Sequence, residues 1–362
     1  MPGITQKRTR HYCIFRTDAI GDVLLTLPMA ETLKRHNPRG KVTMVVREYV
    51  ADLVRLCPFV DEIITIPNAD ISSTKSMIED LRAREIDVAF FAFPRPKLSY
   101  AVWRAKILFR VGTAHRWYSG FYNIQTKDHR SDAAMHESEY NIQLLEKIGI
   151  KKTFPVRTAI KIPGELKEQA RLFLDSINLP RDRPFVILHP GSGGSAMDWS
   201  ADRFGELGKM ILEKYPAHSL LVTGLQSEAQ LIDRVKSFCP SQTYSLPKDV
   251  SLRILAGIIA QASCLIANST GPLHIAAAVD IPTIGLYPNK RVCNPRRWGP
   301  LSEKAIVFTP QKDPACSRCE RNACPSHDRM EYISVESVFS ALDRILNGMM
   351  VQVDPFEKAN TQ

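Results

Sequence analysis

The sequence predicts an α/β protein built from two doubly wound halves. Short apolar runs alternate with amphipathic runs of helical length, first from 11 to 148 and again from 185 to 347. This alternation favours parallel sheets that are covered by helices on both faces. A length of 362 residues also suits two domains of ordinary size.

Within the first half, each predicted strand leads into a predicted helix. We expect strands over 11–16, 41–47, 62–66 and 87–93. We expect helices over 23–36, 50–56, 75–84 and 136–148. The segment 99–121 is basic and aromatic, and we expect it to form a helix and a loop.

Four prolines surround one helical segment between 151 and 184, so the predicted domain boundary lies there. Beyond it we expect strands over 185–188, 219–223, 263–267 and 283–287. We expect helices over 200–214, 229–238, 251–260, 273–279 and 335–347. The predicted organisation is a first domain 1–163, a linker region 164–183, a second domain 184–345 and a tail 346–362.

The composition is that of an ordinary globular protein with an excess of basic residues. The chain is 44% hydrophobic and carries a formal net charge of +10. The excess favours an anionic partner, such as a phosphorylated glycan or lipid, a membrane surface or a nucleic acid. No apolar run approaches the ~18–20 residues that span a bilayer, and no signal peptide is visible. We therefore expect a cytoplasmic protein with at most peripheral membrane contact.

The stretch 268–278 combines a strand end, a tight turn and a helix of small apolar residues. Gly271 allows the turn, and Pro272 suits the first position of a helix. The N–H groups and dipole at a helix start favour a phosphate or diphosphate. Thr270 would add a hydroxyl donor, and His274 lies one turn into the helix. The alternative is an ordinary capped connection between strand and helix.

The glycine-rich segment 189–195 opens the second half. Its glycines let the backbone approach a ligand closely, as in a phosphate loop, and the alternative is a flexible surface loop. Glu228 follows the next predicted strand. A carboxylate there can accept hydrogen bonds from ribose hydroxyls, or it can complement a helix dipole.

Asp22 follows Gly21 in the turn after the first predicted strand, where the sites of α/β proteins form. A carboxylate in this place can take a proton from a hydroxyl, or it can cap the next helix. Asp18 competes for both roles.

Three cysteines and a histidine lie close together after the second domain. They are Cys316, Cys319, Cys324 and His327. This donor set is typical of a tetrahedral zinc site or a small iron–sulfur site, and a cluster of reduced thiols is the alternative. The position favours a structural role.

Together these motifs resemble glycosyltransferase family 9, the ADP-heptose:lipopolysaccharide heptosyltransferases. The matching segments are 16–28, 189–191 with Trp199, Gly224 with Glu228, and 269–274 with the helix that follows. The resemblance implies a GT-B fold, in which two Rossmann-like domains face each other across a cleft. It also implies an inverting reaction without a metal ion, with the acceptor on the first domain and the nucleotide-sugar on the second.

The resemblance also assigns roles to individual residues. Asp22 matches the proposed general base of the family, and Glu228 matches a position used for the donor nucleoside. The 269–274 loop matches the segment that holds the donor diphosphate. The expected donor-binding set is Ser192, Gly193, Glu228, Ser269, Thr270, Gly271 and His274.

Two positions depart from the family pattern. Met197 stands where the family often has lysine, and Ser269 stands where it often has aspartate. Both changes leave the reaction type intact but bear on the identity of the donor. The candidates for the missing cation are Lys290, Arg291, Arg296 and Arg297.

The basic segment 95–116 lies in the expected acceptor domain and suits a phosphorylated lipid A–core acceptor, unless it is only a solvated face. The expected acceptor-binding residues are Asp18, Arg104, Arg110 and Arg116. The leading hypothesis is heptose transfer from ADP-heptose to lipopolysaccharide core at the cytoplasmic face of the inner membrane. It involves no nucleic acid and no catalytic cofactor, and the cysteine cluster would hold a structural zinc.

Two alternatives remain. One is the same enzyme class with another donor, or with a protein or another glycan as acceptor. The other is a zinc-containing nucleic-acid-binding protein without enzymatic activity.

Overall fold

The structure is a computed structural model that describes residues 10–68, 73–158, 160–194, 196–247, 250–290, 293–310 and 330–349. The chain divides into two compact units, 1–161 and 162–362. The segment 164–183, expected to be a linker, therefore lies within the second unit. Its helix packs against a later helix of that unit, where a Cβ atom added to Gly257 would lie 2.9 Å from the Cβ of Ala170.

The described part of the first unit contains a six-stranded parallel sheet and six α-helices. The strands are β1 (His11–Phe15), β2 (Lys41–Arg47), β3 (Glu62–Ile66), β4 (Val88–Phe91), β5 (Phe109–Thr113) and β6 (Ile124–Thr126). The helices are α1 (Ile20–Leu24), α2 (Leu27–His36), α3 (Ala51–Val54), α4 (Thr74–Ala83), α5 (Pro96–Arg104) and α6 (Glu137–Glu146). Short 3₁₀ helices cover Glu48–Val50, Ser119–Phe121 and Arg130–Asp132.

The strand order of the first sheet is β3-β2-β1-β4-β5-β6, so the chain reverses direction across the sheet between β1 and β4. Both of these strands are fully buried. Phe15 of β1 stacks on Phe91 of β4 with ring centroids 4.5 Å apart. Burying such side chains stabilises the sheet by about 1.5–3 kcal/mol each. The reversal opens a crevice at the carboxyl ends of β1 and β4, the usual ligand position in this fold.

Two predictions for the first unit were wrong in detail. The helix predicted over 23–36 is broken into α1 and α2, because Pro28 in the first turn of α2 has no N–H to continue a helix from before it. The segment 99–121 contains β5 in addition to its helix, and β6 follows it. β6 is the edge strand of the sheet and β5 is its neighbour, and their short sequences give a weak strand pattern.

In the second unit, the described residues form another six-stranded parallel sheet with seven α-helices. The strands are β7 (Phe185–His189), β8 (Ser219–Val222), β9 (Thr243–Ser245), β10 (Cys264–Asn268), β11 (Thr283–Leu286) and β12 (Ala305–Phe308). The helices are α7 (Gly164–Ser176), α8 (Ala201–Lys214), α9 (Ala229–Lys236), α10 (Leu252–Ile259), α11 (Gly271–Ala278), α12 (Pro295–Trp298) and α13 (Val335–Leu346). Short 3₁₀ helices cover Gln226–Glu228 and Met330–Tyr332.

The second sheet has the order β12-β11-β10-β7-β8-β9, which repeats the topology of the first sheet. Its reversal lies between β7 and β10. Helix α11 is buried from Pro272 to Ala278, which explains its run of small apolar residues. Sequence analysis missed β9, β12 and α12, which have three or four residues each.

None of the described helices combines the length and the apolar character needed to cross a bilayer.

Candidate functional site

A buried arginine occupies the reversal point of the first sheet. Arg16 follows β1 directly and is only 2% exposed. Its Nη1 donates a hydrogen bond of 3.3 Å to the carbonyl of Ala92, which follows β4. Arg16 therefore joins the carboxyl ends of the two strands that flank the crevice.

Three carboxylates share the guanidinium of Arg16. Its Nε donates to Asp18 at 2.8 Å, its Nη1 donates to Glu137 at 2.9 Å, and its Nη2 donates to Asp22. Burial alone would lower the pKa of Arg16, but the three carboxylates raise it above its ordinary value. The arginine is therefore a fixed positive charge, and the carboxylates are oriented around it.

The three carboxylates do not have the same number of arginine partners. The guanidinium of Arg130 contacts Glu137 at 2.5 Å, so Glu137 has two described arginine partners. Asp18 and Asp22 each pair with Arg16, which also pairs with Glu137. Burial raises the pKa of Asp18 to about 7; Arg16 opposes this shift, and the nearby Asp22 adds to it. A carboxyl group that titrates near neutrality can take up or release a proton at working pH.

The helix that carries Asp22 is fixed by hydrogen bonds from Thr26 and Asn141. The Thr26 hydroxyl donates to the Asp22 carbonyl at 2.8 Å, and the amide of Asn141 donates to the Thr26 oxygen at 3.0 Å. Asp22 lies in the first turn of α1, whose capping residue is Ala19. Asp22 therefore does not cap this helix, and its carboxylate points to Arg16 with 19% of the side chain exposed.

At the reversal point of the second sheet, a buried asparagine takes the corresponding place. Asn268 ends β10 and is fully buried. Its amide nitrogen donates to the Pro190 carbonyl at 2.6 Å, and its amide oxygen accepts from the Trp199 backbone N–H at 2.9 Å. Asn268 therefore fastens both ends of the glycine-rich loop to the end of β10.

Glu228 holds the same loop from the other side. Its two carboxylate oxygens accept 2.8 Å hydrogen bonds from the backbone N–H groups of Gly193 and Leu225. A Cβ atom on Gly191 would lie 2.1 Å from the Glu228 carboxyl group, so only glycine fits there. Gly193 and Gly194 have φ angles of +60° and +77°, a region that favours glycine. Glu228 thus supports the loop backbone, whatever contact it makes with a nucleoside.

Two residues separate helix α11 from β10, whose last residue, Asn268, holds this loop. Thr270 precedes the helix in an extended conformation, and its side chain makes no capping hydrogen bond to it. The first N–H groups of a helix lack partners within the helix and favour an anion. His274 lies one turn on and is 6% exposed. The predicted geometry of strand, turn and buried helix is therefore present.

Ser269 and Tyr287 link this turn to helix α12. The Ser269 side chain hydrogen-bonds to Tyr287, which ends β11, and the Tyr287 hydroxyl donates to the Trp298 carbonyl at 2.9 Å. Arg297 lies beside Trp298 in α12, with its guanidinium 4.5 Å from the centroid of the indole ring. Of the four cations proposed from sequence, Arg291 lies outside the described residues, and Arg297 is tied by described contacts to the Ser269 turn.

His189 contributes no positive charge to the second site. It ends β7, and its Nδ1 lies 2.8 Å from the Thr223 hydroxyl. Burial lowers the pKa of His189 to about 4, against the opposing effect of Glu228. Ser192 is buried inside the loop, where its hydroxyl donates to the Ala196 carbonyl at 3.2 Å.

A model of glycosyltransferase family 9 (heptosyltransferase) matches residues 75–328, which is more than half of the sequence. The chain belongs to glycosyltransferase family 9. It is 30% identical over 345 residues to a Haemophilus influenzae protein provisionally named a glycosyltransferase, with 93% of this chain and 96% of the relative covered.

Two Escherichia coli proteins are also similar to this family 9 chain. Lipopolysaccharide heptosyltransferase 3 is 24% identical over 347 residues, covering 90% of this chain and 95% of that protein. The solved structure of ADP-heptose LPS heptosyltransferase II superposes with a TM-score of 0.77 at 20% identity, covering 94% of this chain and 99% of the other. The predicted family is confirmed, and so is the predicted GT-B fold class with its Rossmann-like domains.

The expected acceptor arginines of this family 9 protein have different surroundings. Arg110 donates to the carbonyls of Phe121 at 2.8 Å and Ile107 at 2.6 Å, and burial lowers its pKa. Its described contacts are those of a structural residue. Arg104 and Arg116 are exposed, and Asp18 lies beside Arg16 as described above. Only Asp18 of the four is therefore seen at the carboxylate cluster.

Sequence analysis missed several residues that shape these two sites. Arg16 lay within the family motif 16–28 and Asn268 began the stretch 268–278, but neither received a role of its own. Glu137 and Asn141 had no sequence signal, because they lie in a helix more than 100 positions after Arg16. The cysteine cluster with His327 lies outside the described residues, so its metal site stays a prediction.

A cavity of about 520 Å³ lies at the amino ends of the strands of the first sheet. Its lining includes His11, Lys41, Asp87 and Ile107, which are at or just before the amino ends of four strands. The cavity is thus separate from the Arg16 cluster, which lies at the carboxyl ends.

Proposed function

We propose that this family 9 protein is an inverting glycosyltransferase that moves a heptose from ADP-heptose to a lipopolysaccharide core acceptor. The observation that carries the proposal is the contrast in charge between the two reversal points. One has carboxylates around a buried arginine, which suits a proton acceptor. The other has a glycine-rich loop and a helix amino end, which suits a diphosphate. The names of the two E. coli relatives supply the donor and the acceptor class.

In the proposed reaction, an acceptor hydroxyl attacks the anomeric carbon of the donor heptose. The hydroxyl proton passes to the Asp22 carboxylate, a new bond joins the acceptor oxygen to the anomeric carbon, and the bond to the diphosphate breaks. Attack on the face opposite the leaving ADP inverts the anomeric configuration. Arg16 holds the Asp22 carboxylate in place by an ion pair before the proton arrives.

The leaving ADP gains negative charge as its bond to the sugar breaks. We propose that the N–H groups at the start of α11, the Thr270 hydroxyl and the loop at Gly193 stabilise that charge. Arg297 would supply the cation that Met197 does not, and Met197 itself is 43% exposed. With these donors, no metal ion is proposed for catalysis. Transfer activity should then persist in EDTA and should not rise on addition of Mg²⁺.

The decisive test combines donor binding with product analysis. A thermal-shift screen should show stabilisation by ADP and ADP-heptose over UDP and GDP, because a ligand of the folded state raises the melting temperature. Transfer to lipopolysaccharide core should give a product whose anomeric configuration, read by NMR, is inverted. Equal shifts by all three nucleotides, or a retained configuration, would contradict the proposal.

A second candidate function keeps the enzyme class but changes the donor or the acceptor. It is favoured by Ser269, which stands where the family often has aspartate and hydrogen-bonds to Tyr287. Profiling the purified enzyme against heptose and hexose donors, and against glycan and protein acceptors, distinguishes the two candidates.

We further propose that the enzyme acts at the cytoplasmic face of the inner membrane as a peripheral protein, because a lipid-linked acceptor resides there. The net charge of +10 supports attraction to anionic lipid.

A further inference from the structure

One side of the first unit carries a long stretch without acidic residues. The 40 residues from 88 to 127 contain no aspartate or glutamate. They form β4, α5, β5 and β6, and the three strands are consecutive in the sheet from its centre to one edge. The seven basic residues of the stretch are Arg95, Lys97, Arg104, Lys106, Arg110, Arg116 and Lys127. No acidic residue of the stretch itself offsets their charge.

An exposed aromatic cluster lies within this basic stretch. The rings of Tyr100 and Trp103 are 5.9 Å apart, and the Phe121 ring lies 5.8 Å from the first and 5.5 Å from the second. Tyr100 is 39% exposed and Trp103 is 43% exposed. Leu108, four residues after α5, is 63% exposed. Large apolar side chains exposed as a group mark an interaction surface more often than single ones do.

Helix α5 separates its two faces clearly. Leu98, Ala101 and Val102 are buried against the first unit. The exposed positions, Lys97, Tyr100, Trp103 and Arg104, recur at helical spacing. The outward face is thus aromatic with basic residues at both ends.

We propose that this outward face of α5, together with Leu108 and Phe121, docks on an anionic phospholipid bilayer. Tyrosine and tryptophan rings favour the zone between lipid headgroups and acyl chains, where one side of the ring is apolar and the other is wet. Lysine and arginine side chains extend past them to the lipid phosphates. The absence of acidic residues over 88–127 makes the charge of this surface complementary to anionic lipid.

The ring geometry favours a membrane over a nucleic acid. Bases stack on open, parallel aromatic faces. Here the three rings pack against one another at interplanar angles of 42°, 69° and 36°, so they present no set of parallel faces. The aliphatic side chain of Leu108 offers nothing that a base would recognise, whereas it suits the acyl boundary of a bilayer.

The docking surface continues to the carboxylate cluster. Arg95 is the residue before α5, and its guanidinium lies 4.9 Å from the centroid of the Phe93 ring. The guanidinium of Arg16 lies 6.0 Å from the same centroid. Docking through α5 would therefore hold the Asp22 side of the first unit near the bilayer, where a lipid-linked sugar acceptor resides. In this respect the inference rests on the proposed function, but lipid binding is measured without donor or acceptor.

The test is flotation of the full-length protein with vesicles of phosphatidylglycerol and phosphatidylethanolamine, compared with phosphatidylcholine alone. The wild type should float with the anionic vesicles and be released by salt. The Y100S/W103S variant should bind at least ~10-fold more weakly, since it loses two interfacial aromatic residues. The matched control is Y332S in the second unit, which removes a tyrosine that is 45% exposed and should bind as the wild type does.

Further measurements separate loss of docking from loss of fold or function. The melting temperature of Y100S/W103S should fall only modestly, because both side chains are partly exposed and the packing lost is that among the three rings. The K97Q/K106Q variant should keep its apolar binding but lose part of the salt dependence. Failure of the wild type to float, or equal flotation of wild type and Y100S/W103S, would overturn the proposal.

A protein or nucleic-acid partner would give a different result. If the surface joined two copies of the chain, Y100S/W103S would change the elution volume on size exclusion while the wild type ignored vesicles. If single-stranded RNA bound in place of vesicles, the proposal would equally be overturned. Transfer to a delipidated, water-soluble acceptor tests the proposed function separately, and Y100S/W103S should retain it.

Discussion

The two reversal points share one topology but are held together by different interactions. The first is held by charge, with Arg16 in contact with three carboxylates. The second is held by the amide of Asn268 and by Glu228 on backbone N–H groups, and its histidine is kept neutral by burial. A proton acceptor needs charged groups that hold its carboxylate in a fixed position. An anion site instead needs hydrogen-bond donors that face the bound anion. One topology can therefore support two kinds of chemistry.

The largest expected effect is that of Asp22→Asn. Losing a general base should lower kcat by roughly 10²- to 10⁴-fold, while the dissociation constant for ADP stays within about 2-fold, because the nucleotide is assigned to the other unit. Steady-state kinetics and calorimetric titration measure the two quantities. The control is Asp52→Asn, which removes an exposed carboxylate that is also paired with an arginine, Arg55. Full activity of the Asp22 variant would show that Asp22 is not the general base.

Gly191→Ala should break the second site by steric conflict. The new Cβ would meet the Glu228 carboxyl group at 2.1 Å, so the loop must move. We expect a loss of about 1–3 kcal/mol in stability, as for other overpacked sites. ADP affinity should also fall by ~10-fold or more, which corresponds to at least ~1.4 kcal/mol. Gly164→Ala is the control, because no atom lies within 4 Å of its added Cβ. Unchanged ADP binding by Gly191→Ala would show that the loop does not serve the donor.

Arg297→Met tests whether the second site also depends on a charge. If this arginine stabilises the leaving diphosphate, kcat should fall by roughly 10- to 100-fold, since a charged hydrogen bond contributes about 1.5–3 kcal/mol. Arg296→Met is the matched control on the same helix and should stay near the wild-type rate. Equal kcat values for the two variants would leave the second site without an assigned cation. The difference in charge between the two sites would then be larger than proposed.

The smallest effect is a shift in pH dependence for Asp18→Asn. The pKa of Asp18 is raised to about 7, so the cluster takes up a proton as the pH falls through that value. We expect kcat/KM of the wild type to fall below pH ~7, and the variant, which lacks that group, to stay active at lower pH. The native state binds this proton more tightly than the unfolded chain. The wild type should therefore lose stability as the pH rises from about 4 to 7, and the variant should lose less. Identical pH profiles of the wild type and Asp18→Asn would show that another group takes up the proton.

The sequence predicted the central strands and the loops at their carboxyl ends, but it missed the interactions that orient the site. Apolar runs such as 264–268 and a glycine–proline turn are local signals, so β10 and α11 were found within one or two residues. Short edge strands such as β6 have little apolar character and were missed. The contact between Arg16 and Glu137 spans 121 positions, and no local pattern encodes it.

Glu228 shows why a residue can match a motif and still need a structure to explain it. The sequence suggested ribose contact or complement to a helix dipole. In the structure the carboxylate accepts from the N–H of Leu225, at the start of the short helix Gln226–Glu228, and also from the N–H of Gly193, which no local pattern indicated. Glu228→Gln separates these roles. A drop in the melting temperature of the ligand-free protein supports the loop contact, and a change confined to ADP affinity supports the nucleoside contact.

Every strand pairing described in either sheet joins two strands of the same unit. Each half can therefore keep its backbone hydrogen bonds when the other half is exchanged for that of a relative. Chimeric proteins joined near 161 should remain foldable, and they would test whether donor preference and acceptor preference follow separate units, as proposed.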